Sequence, residues 1–186
     1  MKIEIKKPDI QNAGGIIKVN KDTWKTSYRG IVSDDYLDSL NSLDEKRIER
    51  CMRQIQDNNP YLIALVNGEI VGMLLYGKSR DDKYKKSGEI NAIYVLKEYQ
   101  GNGIGKKLLL EAVKYLVNEN YNSMIIGCLE GSTSNDFYIK MGGKIDYKTE
   151  CTIGEKNYIE NIYYFDNIKL LLIDENMLDD EKNLIQ

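Results

Sequence analysis

The chain has 186 residues, 42% hydrophobic and 30% charged, which suits a single domain able to bury a full core. Its formal net charge of -3 calls for no nucleic-acid partner. No apolar run reaches the roughly 20 residues of a membrane span, and the opening "MKIEIKKPDI" does not read as a signal peptide.

The chain has no histidine, which removes Ser-His and Cys-His nucleophilic catalysis and most transition-metal sites. Any acid or base must come from Glu, Asp, Tyr, Lys or Cys. Cys51, Cys128 and Cys151 are scattered, with no CxxC pair, so neither a disulfide framework nor a metal site is expected. A cytoplasmic protein with reduced thiols is the simplest expectation.

"KIEIK" alternates like a first strand, ended by Pro8 and Asp9. Asp9 is placed to cap a helix over about Ile10 to Tyr28, weakened around Gly14 and Gly15. A loop through "RGIVS" enters a second helix, and a helix-prone polar run continues to about Asp57 before Pro60 breaks it. "YLIALV" and "EIVGMLLYGK" flank Asn67-Gly68, a strong hairpin signal. A charged loop precedes the strand "EINAIYV". After "YQGNGIGKK", Ile104, Leu108, Leu109, Ala112, Val113, Leu116 and Val117 fall on one helical face. "SMIIGCL" reads as a strand and "TSNDFYIKM" as a short helix, stopped at Gly142. "KIDYKTECTI" and "NYIENIYYF" form a final strand pair turning at Gly154. The expected domain spans 1–166, followed by a tail over 167–186 that is helical or partly disordered. The fold class is α/β, a mixed sheet with helices on both faces.

"YQGNGIGKK" raises a question of its own, because its glycines sit where a strand ends and a helix begins. A helix N-terminus offers about four free N–H groups and a partial positive charge. Glycines let an anion approach that backbone closely. Lys106 and Lys107 in the first turn oppose the helix dipole unless an anion is bound, and phosphate or pyrophosphate is the natural guest. The dinucleotide pattern GxGxxG fails at Lys106, and the P-loop pattern fails in both spacing and its final residue. A tight turn without a ligand would need only one or two glycines.

The pattern that fits is Gln-x-x-Gly-x-Gly at Gln100, Gly103 and Gly105. With "IYV" before it, an amphipathic helix after it, and "FYIKMGG" following the strand "IIGCLEG", the chain resembles the GNAT superfamily of N-acetyltransferases over about residues 1–166. That resemblance implies a mostly antiparallel sheet of about six or seven strands and acetyl-CoA as co-substrate, with no metal. It also implies acetyl transfer to a primary amine of a small molecule or peptide by direct attack. Gln100, Gly101, Asn102, Gly103, Ile104, Gly105 and Lys106 would hold the pyrophosphate. The backbone of Ile93, Tyr94 and Val95 would meet the pantetheine arm and supply the oxyanion donor.

Glu89, eleven residues before Gln100, matches the base of part of the superfamily; the alternative is a solvated glutamate at a strand entrance. Tyr138 matches the proton donor to the leaving thiolate; the alternative is a core aromatic beside Phe137. Many members have Asn six residues before this tyrosine; here Ser132 stands in that place, as a residue toward the pantetheine. On the acceptor side, Trp24, Tyr28, Asp34 and Asp35 suit a cationic amine, or else are core and helix-capping residues. The protein is expected to be a monomer or homodimer. An idle acyl-CoA-binding or regulatory module on the same fold remains the alternative to an enzyme.

Overall fold

The computed structural model describes residues 1–41 and 44–173. The opening alternation forms β1 (Ile3–Lys6). A 3-10 turn then leads into α1 (Ala13–Ser27), which runs through both early glycines. Gly15 is there for closeness: a Cβ on it would lie 2.6 Å from Ile70 Cδ1. The helical run expected up to Asp57 is interrupted. α2 covers only Asp34–Ser39, Leu40 is extended, and α3 (Glu45–Asp57) starts afresh with the Asp44 carboxylate accepting from the Arg47 amide at 3.1 Å.

β2 (Tyr61–Val66) and β3 (Glu69–Lys78) form the hairpin at Asn67-Gly68. β4 (Gly88–Val95) leads through a 3-10 turn and the glycine loop into α4 (Ile104–Asn118). β5 (Met124–Leu129), α5 (Ser134–Lys140), β6 (Lys144–Ile153) and β7 (Lys156–Phe165) follow. Gly142 ends α5 with φ +88, as its sequence position predicts.

The seven strands form one sheet in the order β1-β2-β3-β4-β5-β7-β6. Every neighbouring pair is antiparallel except β4–β5. The sheet is covered on both sides. On one side the apolar stripe of α4, with Leu108, Leu109, Ala112, Val113 and Leu116 fully buried, packs on β2, β3 and β4 together with Tyr138 and Tyr163. Full burial of one such leucine contributes roughly 2 kcal/mol. On the other side α1 and α3 cover Ile63, Leu65 and Met73. A smaller cluster around Leu37 and Leu129 joins α2 to the far end of β5.

Residues 169–173 are helical, and residues 174–186 of the predicted tail lie outside the described residues. Among the described residues no helix is long and apolar enough to cross a membrane.

Candidate active site

β4 and β5 pair over only three residues at their starts, Gly88–Ile90 against Met124–Ile126. Beyond that point β4 keeps only β3, and β5 keeps only β7. The two strands therefore splay, and the alternate backbone groups of β4 that would have met β5 face an opening instead. A bulge at Asn91 interrupts the β3–β4 register and resets which faces the later residues present. The opening holds a cavity of about 900 Å³. It is lined by α1 on one side of the sheet and by the start of α4 and α5 on the other, so it passes through the sheet.

One end of the cavity is the glycine loop. Gly101 and Gly103 have φ +78 and +77, and Gly103 is the N-cap of α4. A Cβ at either glycine would meet nothing within 4 Å, so the loop leaves open space above its backbone. The first helical bond is Lys107 N–H to Gly103 carbonyl, which leaves the preceding N–H groups free of helical partners. The Gln100 side chain donates to the Val95 carbonyl at 2.9 Å, pinning the loop to the end of β4. Asn102 donates to the carbonyls of Tyr99 and Gln100.

Tyr138 lines the middle of the cavity and is 5% exposed, with its ring 5.5 Å from Tyr163. Burial, reinforced by Cys128 and Tyr94, holds its phenol well above the ordinary value, so it stays protonated at neutral pH. Cys128 also lines the cavity, and burial pushes its thiol up to about 11, an inert state.

The far end is aromatic and acidic. Trp24 stands 4.8 Å from Tyr28 and 6.5 Å from Tyr94, ring centre to ring centre. Glu160 enters from β7, with Arg80 at the rim. Glu89 does not line the cavity. Its carboxylate accepts from Arg80 N–H at 2.7 Å, Nη2 at 2.6 Å and Nε at 3.2 Å. Burial pushes the Glu89 carboxyl up, but the Arg80 bonds outweigh it and hold the group below the usual range.

A profile of the acetyltransferase (GNAT) family matches residues 24–142. The chain is 30% identical over 169 residues to the spermidine N(1)-acetyltransferase of Thermoplasma acidophilum, covering 88% of this chain and 99% of that protein. It is 28% identical over 138 residues to an uncharacterized N-acetyltransferase of Bacillus subtilis, covering 73% and 77%. The crystal structure of the PaiA N-acetyltransferase from Thermoplasma acidophilum in complex with coenzyme A superposes with a TM-score of 0.68 at 28% identity, over 88% of this chain and all of that one. The chain belongs to the GNAT acetyltransferase family.

As a GNAT acetyltransferase it is an acyltransferase enzyme. The structure brings Trp24, Tyr28, Ile93, Tyr94, Val95, Tyr138 and most of the glycine loop around one cavity. Five predicted residues stand elsewhere, and one of them is Asn102 of the loop, whose side chain is turned back onto the Tyr99 and Gln100 carbonyls. Ser132 is 6% exposed and does not line the cavity; its hydroxyl accepts from the Ser134 amide at 3.3 Å, organising the entry to α5. Asp34 bonds Arg29 at 2.9 Å on the surface, and Asp35 shares the exposed first turn of α2. Glu89 is held by Arg80 as described. Asn135 ties the β5–α5 turn to β7, donating to Leu129 and Ser132 carbonyls and accepting from Asn161 and Tyr163.

Arg80 and Glu160 were not singled out from the sequence. The available signal was Glu160 standing between Tyr158 and Ile162 on one face of its strand. Its neighbours across the sheet are set by β7 lying beside β5, which no local pattern encodes.

Proposed function

We propose that this GNAT acetyltransferase moves the acetyl group of acetyl-CoA to a primary amine of a small cationic molecule by direct attack. The observation that carries this reading is the through-sheet cavity, with free N–H groups at one end, a buried protonated Tyr138 in the middle and an aromatic, acidic far end. The complex of the PaiA protein with coenzyme A supports the donor, and the similarity to the Thermoplasma acidophilum spermidine N(1)-acetyltransferase supports the amine class.

In this reading the N–H groups of Gly101 to Lys106 hold the pyrophosphate, with Lys106 at the cavity wall adding charge. The freed edge of β4 at Ile93, Tyr94 and Val95 hydrogen-bonds the pantetheine arm and the developing oxyanion. A lysine-like amine is about one part in a thousand neutral near pH 7.4, so deprotonating it costs about 4 kcal/mol. A carboxylate near the amine lowers that barrier. The C–N bond forms as the C–S bond breaks, and the Tyr138 hydroxyl protonates the departing sulfur. Glu89 keeps Arg80 at the rim. The catalytic unit is residues 1–166, with the following turn of helix packed onto it.

The test is calorimetric titration with acetyl-CoA, then thiol release against a panel of diamines, polyamines, amino acids and peptides. Binding with release by a cationic amine supports the proposal. Binding without release by any amine points instead to an acyl-CoA-binding module, and no binding overturns the donor assignment.

A further inference from the structure

We propose that Glu160 is the catalytic carboxylate of this enzyme: it receives the cationic acceptor amine and takes the proton that the amine must lose. This rests on the acetyl-transfer reading above.

Glu160 lies on β7, opposite Leu129, and lines the cavity on the side covered by α1. Its seat is made by an absent side chain. A Cβ on Gly127 would lie 2.4 Å from Glu160 Oε1 and 3.0 Å from Oε2, so only glycine leaves room for the carboxylate to lie across β5. Among the described residues no hydrogen bond or ion pair engages that carboxylate. Arg80, the cation that reaches this end, is spent on Glu89 through its backbone and side-chain donors.

An unpaired, half-buried carboxylate is costly, and a protein that keeps one gains from whatever ion completes it. The groups that interact electrostatically with Glu160 define that ion. They are Arg80 of the β3–β4 loop, Glu89 and Tyr94 of β4 and Cys151 of β6, with Cys128 of β5 and Tyr138 of α5 acting from the α4 side of the sheet. Beside this set stand Trp24 of α1 and Tyr28 at its C-terminal end, whose aromatic rings suit an alkylammonium. Burial, and then repulsion from Glu89, hold the Glu160 carboxyl above its ordinary value, with Arg80 opposing. Glu89 is held in the opposite direction. Two carboxyls driven apart in this way divide their tasks, and the more basic, unpaired one is suited to take a proton.

The proton balance closes. The ammonium gives one proton to Glu160, the neutral nitrogen attacks the acetyl carbon, and the C–S bond breaks. The nitrogen's second proton replaces the one that Tyr138 gives to sulfur, and Glu160 returns its own to solvent. One proton is released for each acetyl group transferred.

The experiment compares wild type, Glu160→Gln, Glu160→Asp and Gly127→Ala for acetyl-CoA affinity, spermidine binding to the CoA-loaded protein, and the pH profile of kcat/KM. For Glu160→Gln we expect acetyl-CoA affinity within about twofold, kcat/KM for spermidine down by about 100-fold or more, and loss of the acidic limb of the profile. Glu160→Asp should recover part of the rate. Gly127→Ala should raise KM by displacing the carboxylate. Wild-type kcat/KM and an unchanged acidic limb in Glu160→Gln would overturn the assignment and leave the acetyl-transfer reading standing. So would a wild-type protein that binds acetyl-CoA but neither binds nor acetylates spermidine. Failure to bind acetyl-CoA would overturn both.

Discussion

Glu89 and Glu160 carry the same carboxyl group into opposite surroundings, and the consequence is measurable without a substrate. The Glu89 carboxyl is held below its ordinary value. Its ionised form therefore stabilises the fold above the ordinary carboxylate range, and that contribution is lost as pH falls through the depressed value. The Glu160 carboxyl is raised, so its contribution is present below the ordinary carboxylate range and is lost as pH rises through the raised value. At pH 7, Glu160→Gln should raise Tm by a few degrees and Glu89→Gln should lower it. The second effect is the weaker, because the Arg80 side chain is 75% exposed and solvent screens the pair. Thermal denaturation from pH 4 to 8 checks this, with the difference between the variants shrinking toward pH 4. Tyr138 makes the complementary case. Tyr138→Phe keeps the ring packed against Phe137 and Tyr163 and deletes only the hydroxyl. Turnover should fall about 10- to 100-fold with acetyl-CoA affinity within twofold; equal loss in both would make the hydroxyl a binding group. Tyr138 was legible in sequence because its motif is local. Glu160 was not, because its meaning depends on Gly127 and Arg80, which are distant along the chain.

At the scale of elements, the strand–loop–helix unit of β4 and α4 was read from sequence almost residue for residue. Its glycines, its apolar stripe and its boundaries are all short-range signals. The α2–α3 break was harder. A polar, helix-prone run does not reveal that Leu40 turns extended to reach the cluster around Leu37 and Leu129, or that Asp44 recaps the chain. The glycine loop yields the element-scale prediction. Gly103 sits at φ +77, a left-handed conformation that costs an L-residue roughly 1 kcal/mol, and space is open where its side chain would point. Gly103→Asp should therefore lower Tm by only a few degrees. The same change puts a negative charge over the free N–H groups of α4, so acetyl-CoA affinity should fall by about 100-fold or more. Calorimetry beside a thermal melt separates the two effects. Unchanged affinity would mean that the loop does not hold the pyrophosphate.

The whole molecule depends on long-range order that local patterns do not carry. The last strand, β7, inserts between β5 and β6, and this brings Glu160 to the splayed β4–β5 opening that makes the cavity. The same order carries the chain back over the main core beyond Asp166. Ile168 is fully buried in the cluster that holds Leu108, Leu116 and Tyr163, and its amide donates to the Asn122 carbonyl at 2.9 Å, ahead of β5. Leu171 and Leu172 pack partly on the same cluster, whereas Leu170 is 54% exposed. The segment after β7 thus closes the α4 side of the sheet where β5 begins, far from the glycine loop. Removing the Ile168 side chain leaves a void next to rigid neighbours, and such truncations cost about 2–5 kcal/mol. Ile168→Ala should lose that much stability by urea denaturation, Leu170→Ala should lose under about 0.5 kcal/mol, and neither should change acetyl-CoA affinity. A stability loss near zero for Ile168→Ala would mean that the segment only rests on the core. A loss of affinity with normal stability would mean that packing behind β5 sets the width of the opening itself.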